Sequence, residues 1–216
     1  METLRIILDY LFYIAESSAA VISLLHFKTI KPKYWRYFAI FLMFIFLFET
    51  IGKFGNNFIS FSKSNYYNYI VIPFEFFFFY WLYAIKSLMN IKLFFLFSLL
   101  YIISYIPAEF YFKDSRIIFS FNYTFGCLLL MILVLMEYYK QINSENILNF
   151  KQNKMFYVNL GITLFFIGTL PFFSFYRLLL NEYPRVFDIY WIYSLLSGIA
   201  MYVFFSMSFI WGKQSY

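Results

Sequence analysis

Cysteine and histidine are almost missing from this chain, with Cys127 and His26 the sole examples in 216 residues. A lone cysteine excludes an intrachain disulfide and any site built on several thiolates. A lone histidine removes most histidine chemistry, since serine or cysteine proteolysis would rest on His26 alone and no H-E-x-x-H run exists. Aspartate is nearly as rare. With only Asp9, Asp114 and Asp188, the paired D-x-x-x-D runs that hold Mg²⁺ and diphosphate in intramembrane prenyl transfer are missing. A retinal Schiff base is excluded too, because the last apolar stretch has no lysine before Lys213. No cofactor or metal site is expected.

Charge is scarce at 13% of residues, against about 25% in soluble domains. Apolar side chains fill the gap: 63% of the chain is hydrophobic, 28% is aromatic and the mean hydropathy is +0.69. That composition belongs to an integral membrane protein. The net charge of +6 does not point to nucleic acid, because the basic residues are scattered singly at the ends of apolar runs, where they act as topology signals.

A spanning helix needs about 20 apolar residues, and seven runs qualify: 4–27, 34–54, 66–88, 91–112, 116–138, 155–179 and 187–212. The expected fold is all-α, a seven-transmembrane-helix bundle forming one domain over residues 1–216. Asp9 and Glu16 interrupt the first run, so it reads as a retained helix and not as a cleaved signal peptide. Placing the N-terminus outside puts ten basic residues inside, among them Lys28, Lys31, Lys33 and Arg36, and leaves seven outside. That bias favours N-out, C-in.

Carboxylates inside apolar runs are the feature that asks for a function, since burying one at bilayer depth costs roughly 2.5–3.5 kcal/mol. At about 1.5 Å per residue, Glu16 lies about 18 Å from the outer boundary, Glu75 about 14 Å, Glu49 and Asn122 about 9 Å, Asp9 about 7 Å and Glu109 about 6 Å. The polar groups therefore converge on the outer half. Helical spacing puts Asp9, Tyr13 and Glu16 on one face, Asn68 and Glu75 on another, and Ser98, Tyr101, Tyr105 and Glu109 on a third. Glu49 and Lys53, four apart with the acid first, form a structural ion pair. Glu137 lies at the inner boundary, explained by Lys140 nearby.

Ile72-Pro73-Phe74-Glu75-Phe76 and Ile106-Pro107-Ala108-Glu109-Phe110 share the pattern I-P-x-E-F, in which proline frees a backbone carbonyl beside an acid. Pro171 kinks the sixth run and aims Arg177 at the acids as their counterion. Ser194, Ser197, Gly198 and Ala200, with Gly161 and Gly168, are small residues suited to close helix packing.

An acid in the first helix, basic residues in the first inner loop, Phe48-Glu49-Thr50-Ile51-Gly52 and Pro73-Phe74-Glu75-Phe76 together resemble a loose group of uncharacterised bacterial seven-helix membrane proteins. The resemblance covers about the first 90 residues, implies a bacterial inner-membrane location and brings no activity with it.

These residues suit two functions. The first is a small-solute or ion- and proton-handling receptor or transporter, with a pocket of Glu16, Glu75, Asp9, Tyr13, Asn68, Asn122, Glu109 and Arg177 in the outer half. The second is an accessory or effector subunit that acts through assembly, as a homo-oligomer or with a protein partner such as a sensor kinase or a membrane-perturbing defence component. An enzyme with Glu16 and Glu75 as acid and base is the weaker reading, and the acids serving only to hold the bundle together is the bland one.

Overall fold

The computed structural model describes residues 2–55, 62–111, 121–144 and 147–213. Helices dominate, and no strand is found among the described residues. In chain order they are α1 (Glu2–Leu25), α2 (Trp35–Phe54), α3 (Lys63–Ser87), α4 (Ile91–Ile103), α5 (Tyr105–Tyr111), α6 (Phe121–Ile142), α7 (Lys154–Ser174), α8 (Tyr176–Glu182) and α9 (Pro184–Ile210). Among the described residues six helices, α1, α2, α3, α6, α7 and α9, are long and apolar enough to cross a membrane. The chain is an integral membrane protein. The fourth expected run is a shorter apolar helix, Ile91–Pro107, and the predicted start of the fifth at Arg116 lies outside the described residues.

Each membrane proline marks a disturbance in its helix. Pro73 comes just after a π-helical segment at Tyr67–Val71, Pro171 after another at Thr163–Ile167, and Pro107 after the break at Ser104 between α4 and α5. Proline removes one N–H and crowds the carbonyl four residues earlier, so the ladder before it widens or opens. At the break, the Ser104 hydroxyl donates to the Tyr101 carbonyl at 2.7 Å. The sixth expected run, 155–179, is likewise divided: Phe175 leaves helical geometry at φ −108°, ψ 20°, and Arg177 falls on the separate α8.

The chain groups into two compact units, one of residues 1–43 and 138–216, the other of residues 44–137. In the first, α1 presents Glu16, Ala19, Ala20 and Ser23, all buried and spaced 3, 4 and 7 apart, while Ile7, Leu11, Ile14 and Val21 remain exposed, as suits lipid. Small residues let the helices close. Gly198 of α9 lies under the Phe12 ring of α1, and Gly161 of α7 comes within 3.1 Å, at its would-be Cβ, of the Met201 carbonyl of α9. Phe38 of α2 packs on Phe205 and Phe209 with ring centroids 5.1 and 5.5 Å apart. Arg5 pairs with Asp188 and lies over Trp191, tying α1 to α9 near their other ends.

The second unit is centred on Phe76 of α3. Its ring lies 5.2 Å from that of Tyr101 and 5.8 Å from that of Tyr123, and it covers Gly126 of α6 so closely that an added Cβ would stand 2.6 Å away. The Tyr80 hydroxyl donates to the Gly126 carbonyl at 2.9 Å. Ending α3, the Asn90 N–H reaches the Ala84 carbonyl at 2.7 Å and the Leu88 N–H reaches that of Tyr83 at 2.8 Å, with Met89 between them at φ 56°. Glycine usually holds that left-handed position. Met89→Gly should therefore stabilise the protein by about 1 kcal/mol, the cost that a side chain incurs there; an unchanged thermal midpoint in detergent would refute it.

Candidate functional site

The carboxylate-bearing residues divide between the two units. In the residues 44–137 unit, Glu75 sits three residues after the π segment of α3 and next to Phe76, whose burial turns the neighbouring side chain to the margin of the core. Glu75 is half-buried, and among the described residues no group hydrogen-bonds to it. A second carboxylate, Glu49 of α2, is close enough for the two charges to act on each other. The Tyr67 hydroxyl donates to Glu49 Oε2 at 2.7 Å. Gly52, one turn further along α2, supplies the room: a Cβ there would meet Tyr67 Cζ at 2.9 Å. The Phe-Glu-Thr-Ile-Gly run thus has a local reason, since its acid accepts from the tyrosine that its glycine admits. Lys53 is half-buried on the same helix.

The same unit holds a polar group built on tyrosines. The Tyr105 hydroxyl of α5 donates to the Asn68 carbonyl at 2.8 Å, lies 3.3 Å from the Tyr101 hydroxyl, and has the Asn122 side chain of α6 against it. Asn122 is buried, and its Oδ1 has no hydrogen-bond partner among the described residues. The Asn68 backbone carbonyl and the Asn122 side chain are therefore brought to one hydroxyl. Asn68 lies within the π segment Tyr67–Val71, which precedes Glu75 on the same helix. The Asn68 amide donates to the Ser64 hydroxyl at 3.3 Å. The side chain of Glu109 lies outside what the structure describes.

In the other unit Glu16 is 1% exposed, and its Oε1 accepts from the Tyr202 hydroxyl of α9 at 3.2 Å. The edge of Tyr202 is turned to Phe12, with centroids 5.5 Å apart. Along the same helix Tyr13 is half-buried and Asp9 exposed, so that face grades from solvent or lipid at Asp9 into the core at Glu16. Arg177 is exposed on α8.

The sequence places Glu137 at the inner boundary near Lys140 but does not show its burial. It is wholly buried and accepts a hydrogen bond from the Ser87 hydroxyl. Leu130, Leu133, Val134 and Glu137 share one buried helical face. Sequence reasoning passed over Lys154, buried at the start of α7.

Among the described residues no three His, Cys, Asp or Glu side chains come together as metal ligands. Chemically, the residues 44–137 unit offers two carboxylates that interact, and separately a tyrosine hydroxyl group with an unsatisfied amide oxygen. No protein-family model, curated protein or solved structure matches the chain.

Proposed function

We propose that this is a small-solute or cation- and proton-handling receptor or transporter, with seven spans, N-out and C-in, in a bacterial cytoplasmic membrane, and that Glu75 is the centre of its site. One observation carries the reading: Glu75 is a half-buried mid-span carboxylate with no hydrogen bond among the described residues and with Glu49 as an electrostatic neighbour. Two like charges at this depth repel and are poorly solvated, and either a shared proton or a bound cation relieves both costs. Tyr67 holds Glu49 in place, so the pair is oriented before anything binds.

The test is the response of the purified protein's thermal midpoint to Na⁺, K⁺ and pH, compared with Glu75→Gln and Glu16→Gln. Glu75→Gln should leave folding intact and weaken the response at least tenfold in apparent affinity. If both variants respond as the wild type does, the proposal fails.

A further inference from the structure

Three basic segments of the residues 1–43 and 138–216 unit meet at one end of it. The connector from α1 to α2 brings Lys28, Lys31 and Lys33, and α2 opens with Arg36; the turn before α7 brings Lys151 and Lys154, and Lys213 lies just beyond α9. No acidic residue falls within 26–36, 147–154 or 211–213. They are tied together: the Lys213 N–H donates to the Gln152 carbonyl at 2.9 Å, and the Lys154 ammonium donates to the Lys31 carbonyl.

Lys154 is the unusual member. It is 4% exposed, its ammonium lies 5.7 Å from the Trp35 ring centroid, and its stem crosses Gly212, where a Cβ would come within 2.5 Å of Lys154 Cγ. Basic residues that serve only to orient a membrane protein sit in water, whereas this one is enclosed. Burying an ammonium calls for an ionic or richly hydrogen-bonded partner. Among the described residues Lys154 meets no carboxylate, and only one of its three N–H donors has an acceptor.

The neighbouring donors are short of acceptors as well. Trp35 is wholly buried, and its Nε1–H has no acceptor among the described residues; the same holds for the Arg36 Nε–H, while Arg36 Nη2 lies 3.4 Å from the Lys28 carbonyl. Ammonium, indole and guanidinium donors without a counter-charge match a phosphate, which offers several acceptor oxygens and negative charge. Since α1 ends, α2 and α7 begin, and α9 ends here, this end of the unit stands at one bilayer face, level with headgroup phosphates.

We propose that Lys154, Trp35 and Arg36, with the surrounding lysines, form a phosphate-ester site occupied by the headgroup of an anionic phospholipid. The inference is independent of the role given to Glu75. Native mass spectrometry of the full-length protein, titrated with phosphatidylglycerol and with phosphatidylcholine, tests it. The expected result is at least tenfold tighter retention of phosphatidylglycerol, falling to the phosphatidylcholine level in Lys154→Met and in Arg36→Gln. Equal retention of the two lipids by the wild type overturns it, as does undiminished phosphatidylglycerol binding by the folded variants. Should Lys154→Met not fold, the half-buried Arg36 decides through Arg36→Gln. Displacement of the lipid by millimolar inorganic phosphate supports the phosphate chemistry, whereas binding of phosphate without any lipid preference overturns the lipid as its source.

Discussion

Gly198→Leu lowers the stability of the protein by about 3 kcal/mol, the upper part of the range for overpacking a close helix contact. The Phe12 ring already occupies the position that a Cβ at residue 198 would take, so even the first added carbon must move it. Phe12 cannot move alone, because it packs edge-on against Tyr202, which in turn donates to Glu16. The new side chain therefore disturbs packing and exposes a buried carboxylate to the loss of its hydroxyl donor. For a chain of this size the change corresponds to a fall of about 6–12 °C in thermal midpoint. Combining Gly198→Leu with Phe12→Ala returns the space, and the double variant should lose less than the sum of the two single losses. Strict additivity would mean that the ring and the glycine do not compete for one volume.

Ser87→Ala is the second large effect, at about 1.5–3 kcal/mol, the range for a hydrogen bond to a charged group. The Ser87 hydroxyl donates to Glu137, and both side chains are buried, so removal of the donor leaves the carboxylate short of a bond that water cannot replace. Glu137→Leu removes the charge itself, and Ser87→Ala should then cost little. A double-mutant cycle read by thermal unfolding in detergent is expected to return a coupling of at least about 1 kcal/mol. Independent, additive losses would show that the bond contributes nothing measurable.

The sequence made the membrane class legible because composition alone decides it: 63% hydrophobic residues with 13% charge leave no soluble alternative. Helix ends were also close for α1 and α2, where Lys28 to Arg36 interrupt the apolar pattern sharply. Interior breaks were not legible. Pro107 and Pro171 announce a disturbance, but whether the ladder opens at Ser104, widens into a π segment at Thr163–Ile167 or leaves helical geometry at Phe175 depends on packing that no local rule contains. Glu16 stood out as a buried carboxylate, yet its donor Tyr202 is 186 positions away, and helical spacing says nothing about which helices become neighbours. For Glu137 the illegible part was its donor, since Ser87 lies 50 positions away. The apolar face of Leu130, Leu133 and Val134 carries the acid into the core, and spacing along one helix does not name the hydroxyl that meets it.

Glu75 stands on a nine-residue α-helical piece, Ile72–Tyr80, bounded on one side by the π segment Tyr67–Val71 and on the other by the π segment Trp81–Ser87. Wide turns of this kind interrupt the regular backbone ladder and are frequent at functional sites. The third span is thus not one rod but a short link between two such turns. Phe76, Phe79 and Tyr80 clamp that link into the core, while Glu75 stands at its margin. The carboxylate is thus carried at the margin of a clamped piece, between two places where the helical ladder changes.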